Sequence, residues 1–354
     1  MKLSTYFRNF NQFIPSQAVS VALLTVCSAS LVACSSPDSN TDSPSQTEQT
    51  SQTQADTNTL TNDGDLPTAT VNDGQVTLDT VRGEMTVPLN PHPVAVYSMT
   101  LMQDLAAMDV PVEGLPEGLL LDNFKAKDSP ESAPIGTIFE PNLEALNALQ
   151  PKAILISNRT AKKYDELNSV APTLDLSLSF DDLYATSKQR LAQLGVLFDK
   201  QAKAQELQQN IDKAIADTQA VTKGRGNGLV ISVQGNKLSA FGEDSRFGYI
   251  HKQFGIPIAD PNIGDAKHGE PISFEYIQKI NPDWLLVLDH DSATGETGKN
   301  AQAVLDNSLI HQTQAWQKQQ VVYLSPDSYL AFGGYYHWLN DAKLIQDAYN
   351  KTAQ

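Results

Sequence analysis

The 354-residue sequence predicts an α/β protein of two Rossmann-like lobes joined by a long rigid helix. Three observations carry this. Apolar runs bounded by Pro and Gly, such as Ala153-Ile154-Leu155-Ile156 and Trp284-Leu285-Leu286-Val287-Leu288, have the composition of parallel strands buried on both faces. An order of strand, helix and strand in the first half recurs in the second. Between the halves lies a polar stretch whose apolar residues Leu207, Ile211, Ala214 and Ile215 keep helical spacing.

At the N-terminus, Lys2 and Arg8 precede a short apolar run, Val19 to Val26 with Leu31 and Val32, of signal-peptide length and too short to span a bilayer. Leu31-Val32-Ala33-Cys34 then has the form of a lipoprotein cleavage site. Residues 1–33 read as a leader and Cys34 as the mature N-terminus, whose acyl chains, palmitate among them, would anchor the domain to a membrane surface. Cys27 leaves with the leader, so the folded part has no free thiol, which excludes thiolate metal sites and cysteine nucleophiles. Removing the leader takes away two bases and no acid, so the formal charge of −16 becomes −18. Such acidity argues against nucleic acid or anionic lipid as partner and makes arginines in a cleft conspicuous. Residues 34–74 are dominated by Ser, Thr, Asn, Gln and Asp and read as a disordered polar tether.

The remaining chain is more than one core comfortably fills, and divides into a lobe over 75–180, a helical segment over 181–223 and a lobe over 224–354. In the first lobe Val94 to Tyr97, a helical segment Leu101 to Met108 and Val110-Pro111-Val112 read as strand, helix and strand. Leu229 to Val233, Phe247 to Phe254 and Gly255 to Ile258 repeat them. Glu140-Pro141, a helix over Leu143 to Leu149 and Pro151 lead into the strand at Ala153. Glu270-Pro271, a helix over Phe274 to Ile280 and Pro282 lead likewise into Trp284. Gly195 is expected to break the helical segment, leaving a linking helix from Asp199 to Val221, about 34 Å long at 1.5 Å per residue. Gly224-Arg225-Gly226-Asn227-Gly228 precedes a strand, whereas a dinucleotide loop follows one, so a nucleotide site is discounted.

Ligands of such sheets meet the loops after the strands' carboxyl ends. Arg159 follows the strand at Ala153 and His290 the strand at Trp284, in equivalent positions of the two halves. Ser245-Arg246-Phe247-Gly248 opens a helix, Lys267-His268-Gly269 precedes the second Glu-Pro, and Tyr329 follows the last strand, Val321 to Leu324. Taken singly, each has a plain alternative. The arginines could pair with surface carboxylates, the histidines could be idle, and Tyr329 could be a core aromatic. His92, His251, His311 and His337 have no zinc-site spacing. No nucleophile elbow or oriented base appears, so no enzyme is expected.

The motifs Ile138-Phe139-Glu140-Pro141-Asn142-Leu143, Ile156-Ser157-Asn158-Arg159, Ser245-Arg246-Phe247-Gly248, His268-Gly269 with Ser273-Phe274-Glu275-Tyr276-Ile277, and Val304-Leu305-Asp306-Asn307 carry a resemblance over almost all of 76–350. The chain resembles the iron-siderophore substrate-binding lipoproteins of bacterial ABC importers, particularly the catecholate branch. That resemblance implies a helical-backbone periplasmic binding protein that closes only slightly on its ligand. It implies that Arg159 and Arg246 neutralise an anionic ferric siderophore, and that His268 and Tyr329 fill iron positions left open by a tetradentate one. His290 stands where that branch commonly has a third arginine, and the loop near Tyr329 is one residue shorter. No resident cofactor is implied, since ferric iron arrives with the siderophore. The expected partners are the siderophore and the importer's permease, for a monomer anchored by Cys34 in the periplasm or at the cell surface. Haem, cobalamin or a hydroxamate complex on the same scaffold, an exported α/β enzyme, and a structural lipoprotein stay open at this point.

Overall fold

The computed structural model describes residues 59–61, 67–121, 131–264, 266 and 268–352. The leader, Cys34 and the tether as far as residue 58 lie outside the described residues, and no described helix is long and apolar enough to cross a membrane.

The chain enters through an antiparallel meander, β1 (Thr59–Thr61), β2 (Pro67–Asn72), β3 (Gln75–Thr80) and β4 (Gly83–Pro88). This corrects the expected tether over 34–74, because β2 falls inside it. The cause is Asp73-Gly74, both at positive φ, which closes a two-residue hairpin between Asn72 and Gln75 and lets Ala69, Val76 and Leu78 bury themselves.

The first lobe contains β5 (Val94–Val96), α1 (Met99–Ala107), β6 (Gly114–Leu115), β7 (Ala133–Pro134), α2 (Leu143–Leu149), β8 (Ala153–Ile156), α3 (Tyr164–Asn168) and β9 (Thr173–Asp175). Its five strands are parallel, in the order β7-β6-β5-β8-β9. Val110-Pro111-Val112 is not a strand. The Val110 N–H is spent on Leu105 O at the end of α1 and Pro111 has none, so pairing starts at Gly114.

Two helices follow, α4 (Leu183–Leu197) and α5 (Gln201–Thr222), the latter about 33 Å long. Gly195 lies within α4 and does not break it. A Cβ there would stand 2.6 Å from that of Ala204, so glycine lets the two helices approach closely.

The second lobe runs β10 (Gly228–Gln234), β11 (Lys237–Phe241), α6 (Tyr249–Lys252), β12 (Glu270–Ile272), α7 (Phe274–Ile280), β13 (Trp284–Asp289), α8 (His290–Thr294), α9 (Ala301–Leu305), α10 (Gln314–Gln317), β14 (Val321–Tyr323), α11 (Asp327–Leu330) and α12 (Tyr335–Lys351). Its sheet is mixed rather than all parallel as expected. In the order β12-β11-β10-β13-β14, the last three strands are parallel and β11 is antiparallel to both its neighbours. The two-residue turn Gly235-Asn236 folds β11 straight back on β10, while Gly255 to Ile258 contributes a single bridge, Ile258 to Gly228. Helix α12 returns along α5 and against α1, and one apolar core spans both lobes through these helices.

Candidate functional site

In each half the helix before the central strand is built alike. Asn142 caps α2 by accepting from Ala145 N, Ser273 caps α7 by accepting from Tyr276 N, and left-handed Gln150 and Asn281 end them. These caps set where β8 and β13 begin, and hence where Arg159 and His290 leave the sheets.

Four of the five predicted residues converge between the lobes. The Arg159 guanidinium carbon is 4.8 Å from the centre of the Tyr329 ring and its Nη2 donates to Tyr329 O at 2.6 Å. Arg246 lies 5.1 Å from the same ring, against Phe180 and Phe332 on its other sides. The His290 ring meets Tyr329 edge-on at 4.7 Å. His268 does not join them. It is exposed and has no hydrogen bond, ion pair or ring contact with a described residue.

Arg246 arrives by a route that the carboxyl-end rule does not supply, since its loop follows the antiparallel β11. Ser245 N and Oγ donate to Gly242 O, and Gly248 N donates to Ser245 O. The loop is so tight that a Cβ on Gly248 would fall 1.8 Å from Glu243 O.

The electrostatics are unusual for so acidic a chain. Neither Arg159 nor Arg246 forms an ion pair with a described carboxylate, and the Nε of each is buried without a hydrogen-bond partner. Burial, followed by repulsion from Arg159, lowers the pKa of Arg246, against the pull of Tyr329. Two half-buried guanidiniums are therefore held near one another with no carboxylate partner among the described residues, a state that an incoming anion relieves.

The gap lined by Ser98, Thr100, Asn158, Arg159, Leu330 and Phe332 measures about 10 Å³, room for one water. A larger depression, about 770 Å³ between β14 and α12, shares no residue with this gap, and convergence of charge rather than volume identifies the site.

Behind Tyr329 the loop is fixed by a buried network that sequence reading did not reveal. Asp341 of α12 accepts from Ser325 N and from the hydroxyls of Ser328 and Tyr249, and Ser325 Oγ donates to Asp327. Burial raises Asp341 to about 6, and burial lowers its neighbour His337 to about 3. The α-helical spacing of Asp341 and His337 was the available signal.

Two α/β lobes on a helical hinge with a charged cleft between them are the architecture of a solute-binding protein. The sequence profile of the periplasmic binding protein family matches residues 94–328, and the chain belongs to that family. It is 35% identical over 269 residues to the petrobactin-binding protein YclQ of Bacillus subtilis, covering 75% of this chain and 84% of the relative. The YclQ crystal structure superposes with a TM-score of 0.73 at 34% identity, covering 78% of this chain and 98% of that one. The ferric-anguibactin-binding protein FatB of Vibrio anguillarum is 31% identical, covering 70% and 79% of the two chains. The catecholate-siderophore-binding protein VctP of Vibrio cholerae has a TM-score of 0.70 at 25% identity, covering 77% and 99%. The chain is a binding protein of the extracytoplasmic space and not an enzyme, as its family is.

Proposed function

We propose that this protein captures a ferric catecholate siderophore outside the cytoplasm and delivers it to an ABC importer, acting as a monomer anchored through Cys34. The observation that carries the reading is a pair of half-buried arginines, each with a buried Nε and no carboxylate partner among the described residues, closing on one tyrosine. A ferric ion wrapped by deprotonated catecholates carries net negative charge, and guanidinium keeps its proton where an ammonium could lose it. Tyr329 is the phenol at the centre of the cluster, and exposed His268 is accessible as an imidazole; both suit a hard ferric ion whose siderophore supplies only four donors. His290 lines the same wall. The siderophore-binding names of YclQ, FatB and VctP support the ligand class.

The test is fluorescence titration of the full chain with a panel of ferric siderophores. Arg159→Ala and Arg246→Ala should each weaken binding of a ferric bis-catecholate by about 1.5–3 kcal/mol, the range for charged hydrogen bonds, with lysine recovering only part. Tyr329→Phe and His268→Ala should each move the visible charge-transfer band of the tetradentate complex and leave a hexadentate one nearly unchanged. Unaltered affinity in both arginine variants would refute the reading. The anchor is tested separately: Cys34→Ala should free the domain from membranes, or leave it unprocessed, at unchanged affinity.

A further inference from the structure

The geometry points to a divalent transition-metal site on the second lobe, of the class that takes zinc, built from His290, Asp291 and Glu296. Their donor atoms all lie within 4.8 Å of one another. His290 Nδ1 and Asp291 Oδ1 are 3.5 Å apart, and both are buried without a hydrogen-bond partner. Asp291 is 8% exposed. Its other oxygen is held, since Oδ2 accepts from Gly235 N at 2.7 Å, so the carboxylate is oriented with Oδ1 left over. Among the described residues no lysine or arginine pairs with Asp291 or Glu296.

Without a cation this arrangement is poor. An unprotonated Nδ1 sets two acceptors against each other, and a protonated one stands too far off for a good hydrogen bond. A cation resolves both cases. Two ligands of a four-coordinate zinc, each at about 2.0–2.1 Å, stand roughly 3.4 Å apart, close to the observed separation. The hydrogen bond from Gly235 then orients the carboxylate ligand from outside, the usual arrangement around such sites.

Glu296 supplies the third donor because α8 ends early. Left-handed Gly295 turns the chain, and Glu296 N donates to Asp291 O at 2.9 Å, which brings residue 296 back beside residue 291. Its side chain is exposed and can close the remaining distance. Imidazole with two carboxylates suits zinc and its neighbours, with water in the fourth position. The inference uses only these residues and holds whichever ligand the cleft takes.

The test is calorimetric titration of the chelator-treated full chain with zinc alone, no siderophore present. One site is expected, weakened roughly tenfold or more by Asp291→Asn, by Glu296→Gln and by His290→Gln. It should be untouched by His311→Ala, which removes a histidine paired with Asp306 on the surface. Cobalt(II) at the same site should show the intense visible bands of four-coordination. Glu296 is exposed, so its variant reads the site without threatening the fold. Absence of zinc binding, binding unchanged in all three site variants, or binding lost with His311 would each overturn the assignment.

Discussion

Asp341 and His337 place opposite demands on pH. Asp341 is hydrogen-bonded but deeply buried, so its folded pKa, about 6 against 3.8, exceeds the unfolded one, and its contribution is present at low pH and lost as pH rises. His337 accepts from Gly333 N through Nδ1 and is kept neutral by burial, with Asp327 raising and Arg190 lowering its pKa. At about 3 against 6.5, its contribution is present above pH 6.5 and lost as pH falls. Between about pH 4 and pH 6 the folded state takes a proton at Asp341 while the unfolded state takes one at His337, and the two slopes cancel. Relative to wild type, Asp341→Asn should therefore lose stability on going from pH 6 to 4, by up to about 1.4 kcal/mol per unit. His337→Gln should lose it in the opposite direction. Urea unfolding at several pH values reads both, and parallel profiles in the two variants would contradict the assignment.

The loop before α6 shows how a short segment governs the cleft. Arg246 is carried by a turn with no room at Gly248, where a Cβ meets the Glu243 carbonyl at 1.8 Å. Gly248→Ala should force the turn open, costing about 1–3 kcal/mol of stability as overpacking does, and should weaken anionic ligands without touching a ligand contact. Titration beside circular dichroism checks this: affinity equal to wild type would mean that Arg246 is not positioned by its turn. The turns also mark what can be read from a chain. Helices α2 and α7 and strand β8 have the bounds their caps and prolines announce, because those signals are local. The hairpins at Asp73-Gly74 and Gly235-Asn236 carried signals just as local, but composition masked the first and an expected parallel repeat the second.

Rigidity of the two-lobed body rests on bonds that cross it. Arg190 of α4 binds Asp104 of α1 and Gly333 O, Asp104 accepts from Tyr335 N, and Gln103 binds Asp327. They join α1 to α4, α11 and the start of α12. Burial raises the pKa of Asp104 and lowers that of Arg190, each opposed by the other's charge, so removing one partner strands the second. Arg190→Met should cost about 3–5 kcal/mol, read by thermal or urea unfolding. With the hinge so tied, small-angle scattering should show nearly the same radius of gyration with and without ferric siderophore; a contraction of hinge-bending size would contradict this.

Read as a chain alone, these residues already determine two α/β halves, a connecting helix and the candidates Arg159, Arg246, His268, His290 and Tyr329, because strand composition, caps and punctuation act over a few neighbours; only their meeting, without His268, was left to the fold. What the tertiary structure decided is which charges go uncompensated. Arg190 and Arg246 look alike in sequence, yet one is neutralised by Asp104, far away along the chain, and the other lies against aromatic rings and a second arginine with no carboxylate partner among the described residues. The same holds for His290, whose neighbour Asp291 was in plain view, while the turn that returns Glu296 to it was not. Charge pairing at contact distance depends on packing between distant segments, and no local pattern encodes it.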